Sequence, residues 1–179
     1  MDPFRSTRGG GVKATLAAAE ASLLRSLVAQ VMDLIEPDAA KATDLDELEA
    51  ILQADAAETP TDPVLARLLP DGYRDNPDAA GEFRKYTELS LRAAKYETAQ
   101  AMLDSLPEQG GKLQLTQEQA QAWLKALNDV RLALGTKLGV AEDFEEQWDG
   151  LAAKDPRRTA FEVYAWLGAV QESLVRALW

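Results

Sequence analysis

Asn128, Asp129, Arg131 and Thr136 crowd one stretch of a helical pattern, with Gly135 between them. On a helix Asn128, Arg131 and Gly135 form one stripe beside an apolar seam, and Leu124 falls on it too. Polar groups at the edge of a core need partners. One reading is a buried network, in which Arg131 pairs with a carboxylate such as Glu82, Glu88 or Glu172. The other is a polar pocket or partner-docking face, where Gly135 lets another backbone approach. Glu172, with Gln171, interrupts an otherwise apolar helix, and as the partner of Arg131 or Arg84 it would be satisfied. Arg67, Tyr73 and Arg74 surround the turn LARLLPDGYRD, where they clamp the turn onto the next helix or offer a docking point.

The residue types that are absent exclude more chemistry. The chain has no cysteine and no histidine. That removes imidazole acid–base catalysis, thiol nucleophiles, His/Cys metal cages and thiol redox switching. No second acid or base accompanies Glu172, so no catalytic residue is assigned. The runs Glu142-Asp143, Glu145-Glu146 and Asp44-Asp46-Glu47-Glu49 lack the spacing and central glycine of a calcium loop, and read as solvated helix faces. Gly9-Gly10-Gly11 precedes no phosphate-loop lysine. No cofactor or metal is expected.

The formal charge is −11 and the pI about 4.5. An acidic surface repels phosphate backbones, which argues against direct nucleic-acid binding. Arg5, Arg8 and Lys13 form the one basic tail, and no helix-turn-helix with a basic recognition helix is evident. No apolar run reaches membrane-spanning length and the start lacks a secretory pattern, so a cytoplasmic protein is expected.

These residues need elements to hold them. Length predicts one domain. Residues 1–11 read as a flexible arm, and 12–179 as a single mainly helical domain with a weakly ordered acidic segment around 37–62. Helices are expected over 18–36, 63–69, 77–106, 117–138, 141–152 and 156–178, with another short one within 44–54. Asp62-Pro63, Asn76-Pro77 and Asp155-Pro156 supply caps with proline in the first turn, Thr116 caps the next helix and Gly139 closes it. Phe83, Tyr86, Leu89, Leu91, Ala94, Ala99, Met102, Leu103 and Leu106 include an apolar face of the long helix and some spillover. The last helix is apolar almost all round and is expected at the centre of the core. Arg157 and Arg158 sit at the unfavourable end of its dipole and call for an anion or acidic helix.

VKATLAAAEASLLRSLVAQV and GKLQLTQEQAQAWLKALNDV look alike: strand, cap, amphipathic helix. Their strands, Val12–Leu16 and Lys112–Leu115, suit a short two-stranded β ribbon.

In the blocks DPVLARLLPDGYRDNPDAAGEFRKYTELSLRAAK, WLKALNDVRLALGTKLGV and FEVYAWLGAVQESLV, and in the opening PFRSTRGG, the chain resembles an actinobacterial family long described as a domain of unknown function. That family is labelled the AosR-like oxidative-stress transcriptional regulators. The resemblance implies a non-enzymatic regulator that contacts a sigma factor or RNA polymerase. It also implies a link to the Clp protease machinery, whose adaptor gene often lies beside the family's genes. The family's sensing by a cysteine pair cannot operate in a chain without cysteine. A homodimer is a further expectation, because it would cover Leu178 and Trp179 at the C-terminus.

Overall fold

In the sequence the alternation Val12, Ala14, Leu16 faces the alternation Leu113, Leu115, and the chain uses both. The computed structural model describes residues 2–36, 60–73, 76–141, 144–152 and 154–179. Strand β2 (Val12–Leu16) pairs antiparallel with β3 (Gly111–Leu115), in a register that sets Val12 against Leu115 and Ala14 against Leu113. One face of the pair therefore buries Val12, Ala14, Leu16, Leu113 and Leu115, as a half-buried sheet requires.

The ribbon has a third strand. Asp2–Ser6, expected as a flexible arm, forms β1 on the outer edge of β2, so the sheet order is β1-β2-β3. The anchor is Phe4, 5% exposed, whose ring meets Trp123 edge-on at 5.9 Å. A single buried aromatic fixes this edge, and the turn Thr7–Gly10 closes the hairpin through Thr7 N–H to the Gly11 carbonyl at 2.8 Å. Gly110 combines a positive φ with a close approach to another backbone. Its φ is +74°, and a Cβ there would lie 2.6–2.7 Å from the backbone of Leu16, Ala17 and Ala18. Gly110→Ala is therefore expected to destabilise by more than about 1 kcal/mol, read by denaturant unfolding.

The helices begin and end where local chemistry satisfies their free backbone groups. α1 (Ala18–Ile35) opens with Glu20 accepting from the Ala17 N–H at 2.7 Å. α2 (Pro63–Leu68) is capped by Asp62, which accepts from Val64 and Leu65. α3 (Pro77–Ser105) is capped by Asn76. α4 (Gln117–Leu138) has a reciprocal Thr116/Gln119 capping box and ends at Gly139 with φ +66°. α5 (Phe144–Asp149) ends before the 152 expected. α6 (Arg158–Leu178) begins two residues later than expected, because Asp155 holds the Arg157 N–H and guanidinium before the helix starts. The helix expected within 44–54 lies outside the described residues.

The core centres on α4, not on α6. α4 touches α1, α2, α3, α6 and β3. Its Trp123 is fully buried and donates Nε1–H to Ser105 Oγ at 2.7 Å. α6 buries only Phe161, Leu167, Val170 and Leu174, and leaves Val175 and Trp179 exposed. Its apolar residues exceed the stripe that packing uses. The fold is a mainly helical single domain with six helices and a three-stranded sheet among the described residues.

Candidate functional site

α3 carries a row of charged side chains and several exposed large apolar ones, and places each on the side opposite to convention. Arg84, Glu88 and Arg92 stand one turn apart on one face, with Lys95 following, and this face turns inward. Arg84 is only 5% exposed. Its guanidinium donates to Asp71 at 2.5 Å, to the Leu69 carbonyl at 3.0 Å and to Glu88 at 2.8 Å. Glu88 also accepts from Arg92 Nε at 2.8 Å. Arg92 in turn donates to the Ile35 carbonyl at 3.0 Å and so closes the C-terminus of α1. Lys95 meets Asp129 of α4 at 2.6 Å. Toward the C-terminus the same inward stripe becomes apolar, with Ala99, Met102 and Leu106.

The outward side is the reverse. Tyr86 is 74% exposed, Phe83 45%, Tyr96 39%, Leu91 38% and Leu89 36%. Ser90, Ala93 and Ala94 are exposed between them. The exposed residues from Phe83 to Tyr96 are uncharged, and Glu82 and Glu97 are exposed at the two ends of this stretch. The expected apolar core face of this helix is thus solvent-facing at Phe83, Tyr86, Leu89, Leu91 and Ala94. On the inward side the Leu69 and Ile35 carbonyls, Asp71 and Asp129 face α3, and Arg84, Arg92 and Lys95 donate to them.

A groove of about 440 Å³ lies beside this face, between α3 and α4. Leu91, Ala94, Thr98 and Leu124 form its walls, the Lys95–Asp129 pair its floor, and Lys125 and Asn128 its rim. At the other end of the face Tyr73 meets the Phe83 ring edge-on at 5.7 Å. Gly72 packs beneath that ring, where a Cβ would come within 2.7 Å.

Burial pushes the Asp129 carboxyl up, and the hydrogen bond from Lys95 only partly offsets this. Burial also acts on Glu88, but the bonds from Arg84 and Arg92 outweigh it and hold that carboxyl below its usual range. The two groups have opposite linkage signs. Glu88 contributes stability above the ordinary carboxylate pKa, and this is lost as pH falls through its depressed value. Ionised Asp129 is a burden at neutral pH, relieved as pH falls through its raised value. Glu88→Gln is therefore expected to flatten the loss of stability below about pH 4, and Asp129→Asn to remove the gain on mild acidification, both read from unfolding midpoints across pH.

The sequence-predicted residues do not form one site. Asp129 is buried against Lys95, whereas Asn128 is exposed on the groove rim. Arg131 faces α6, where it donates to Gln171 Oε1 at 2.6 Å and lies 5.2 Å from the Tyr164 ring centroid. None of the expected carboxylates receives it: Glu82 is exposed, Glu88 serves Arg84 and Arg92, and Glu172 pairs with Arg176 on the solvent side of α6. One residue of helical rotation separates Gln171, which points at α4, from Glu172, which does not. Gly135 admits the Tyr164 ring, 3.1 Å from where a Cβ would stand, and not a backbone. Thr136 bonds the Leu132 carbonyl of its own helix. Arg67 is exposed, Tyr73 clamps its turn against Phe83, and Arg74 lies outside the described residues. Arg84 pairs with Asp71 and Glu88 in place of Glu172. Arg157 and Arg158 are answered within the chain: Arg157 pairs with Asp155, and Arg158 stacks 4.4 Å over Trp148 and bonds the Leu151 carbonyl.

The Lys95–Asp129 pair and the role of Asp71 were not foreseen. The signal for the first three members was present in the spacing of Arg84, Glu88 and Arg92, alternating in sign at helical intervals. Arg5, Lys13 and Lys112 share the outward face of the sheet. Among the described residues no group of three or more metal-ligating side chains occurs, and no helix is long and apolar enough to cross a membrane.

The arrangement is that of a small helical domain with a helix face of exposed aromatic and aliphatic side chains. The chain belongs to the family described as domain of unknown function DUF2017, which matches residues 1–178. It is 37% identical to the oxidative stress regulator AosR of Mycobacterium tuberculosis (strain H37Rv), over 95% of this chain and 83% of that protein. The oxidative stress regulator AosR of Mycobacterium bovis is similar to the same extent. No solved structure matches.

Proposed function

We propose that this chain is a stress-linked transcription regulator that acts without enzymatic chemistry, by docking through the outward face of α3 onto the transcription machinery, a sigma factor or RNA polymerase. The observation that supports it is the inverted polarity of α3. A helix that turns Arg84, Glu88, Arg92 and Lys95 inward and shows Phe83, Tyr86, Leu89 and Leu91 to solvent is built to meet an apolar protein surface. Phosphate backbones are matched by cations, and this face offers none fully exposed. The relatives' designation as oxidative stress regulators agrees with a role in stress. Without cysteine, this regulator is not itself a thiol sensor of the oxidant.

The test is affinity capture of the tagged protein from its own cells, with and without peroxide. Recovery of a sigma factor or polymerase subunits in equal amount in both conditions is expected. Recovery of Clp components alone would redirect the reading to proteolysis and contradict it.

A further inference from the structure

β3 is the last strand of the sheet, and its second edge pairs with no other strand among the described residues. Bonds at the end of the ladder fix which backbone groups face that edge. The Gly11 carbonyl accepts from Thr7, and the Thr116 N–H donates to Gln119 Oε1, so these two do not bond each other. Val12 and Leu115 therefore exchange their own hydrogen bonds, and by alternation so do Ala14 with Leu113 and Leu16 with Gly111. The N–H and C=O groups of Lys112 and Gln114 are left facing away from β2, and no hydrogen bond among the described residues reaches them.

The side chains of Lys112 and Gln114 lie on the outward face with Arg5, Lys13 and Thr15, around a shallow depression of about 370 Å³. Arg5, Lys13 and Lys112 enter no ion pair among the described residues. Asp2 pairs with Thr15 from β1, two strands from the open edge, and Glu108 and Glu118 are exposed before and after β3. In a chain of net charge −11, three unpaired cations on one sheet face are a local reversal of sign.

We propose that the open edge of β3 takes a short extended segment of a partner protein as a fourth, antiparallel strand, with carboxylate side chains at its outward positions beside Lys112 and Lys13. Two separate features select that occupant. A strand edge offers donors and acceptors in alternation, which another strand matches and a phosphate chain, having no donors, does not. The lysines select acidic side chains at the outward positions, and the inward positions fall beside Leu113, where apolar ones belong. Lys112 also disfavours a second copy of this chain, whose own Lys112 would be brought near, as charged residues do on the edges of native sheets. Glu108 and Glu118 repel carboxylates beyond the five residues of β3 and keep the paired stretch short. The site uses no residue of the outward α3 face, so its failure and the failure of that docking reading are separate results.

The probe is a labelled heptapeptide alternating glutamate and valine, titrated against the full chain by fluorescence anisotropy at low salt. Saturable binding in the micromolar range is expected. The Lys112 and Gln114 amides are expected to slow in hydrogen exchange when the peptide binds, whereas those of Leu113 and Leu115 are protected already in the free chain. Gln114→Pro removes an edge donor but none of the bonds to β2, at a position where a sheet tolerates proline. It is expected to weaken binding at least about tenfold, as is Lys112→Glu. The same peptide N-methylated at its glutamates keeps its charge but loses the donors that face β3, and is expected not to bind. The proposal is overturned by no binding up to about millimolar peptide. It is also overturned by binding that survives both N-methylation and Gln114→Pro, which marks a surface that reads charge alone, or by equal binding of the peptide with lysine in place of glutamate. Tighter binding of a single-stranded oligonucleotide, lost with Lys112→Glu, or self-association abolished by Gln114→Pro assigns the surface to another occupant and overturns it as well.

Discussion

Arg84→Met is expected to destabilise the domain by about 3–5 kcal/mol, the usual cost of removing one member of a buried ionic cluster. Methionine fills much of the space but donates nothing. The Leu69 carbonyl and Asp71 lose their donor, and Glu88 keeps only Arg92. These groups lie where water replaces the lost bonds poorly, so the cost exceeds that of a surface pair. In a chain of this size the loss corresponds to a melting temperature lower by about 10 °C. Arg84→Lys should fall between, because an ammonium keeps the charge but cannot reach three acceptors with a planar fork. A loss below about 1 kcal/mol for Arg84→Met by denaturant unfolding would show that the cluster is not what seats α3.

The second large effect is conditional. Lys95→Met alone is expected to cost about 3–5 kcal/mol at neutral pH, since Asp129 then remains buried and charged without a counterion. Burial already raises the Asp129 carboxyl with Lys95 present, and removing the lysine raises it further. The native state then takes up a proton more readily than the unfolded chain. Stability of the variant therefore rises as pH falls through that raised value, opposite in sign to an ordinary salt-bridged carboxylate. Lys95→Met combined with Asp129→Leu should recover most of the loss, because the pair then becomes apolar packing against Leu91 and Leu124. Unfolding of the two single variants and the double variant measures this coupling. Losses that simply add would contradict a direct Lys95–Asp129 interaction.

Most element boundaries were legible because they rest on local chemistry. Asp62-Pro63, Asn76-Pro77, Thr116 with Gln119, and Gly139 each fix a helix end through backbone groups within four residues. The β2/β3 pairing was legible from two alternating runs. β1 was not, since a lone buried Phe4 beside Pro3 and a Gly triplet carries no period, and its stabilisation comes from Trp123 far along the chain.

The orientation of α3 was hidden for a deeper reason. Periodicity locates an apolar stripe but assumes that it faces the core. Here the turn bearing Asp71, the C-terminal carbonyl of Ile35 and the α4 carboxylate Asp129 all converge on α3, and none is near it in sequence except Asp71. Arg131 failed in a smaller way. A carboxylate was the natural partner to seek, but α6 presents Gln171 and the Tyr164 ring at that level. Side-chain identity one residue away, at Glu172, was right in type and wrong in direction.

The central claim is that the outward face of α3 is where this protein meets its partner. The most direct measurement compares affinity capture of the unsubstituted chain with Tyr86→Glu, a substitution at a side chain 74% exposed, after confirming equal thermal stability. The account predicts that sigma factor or polymerase subunits recovered with the unsubstituted chain are lost with the variant. Equal recovery of those subunits with both would contradict it.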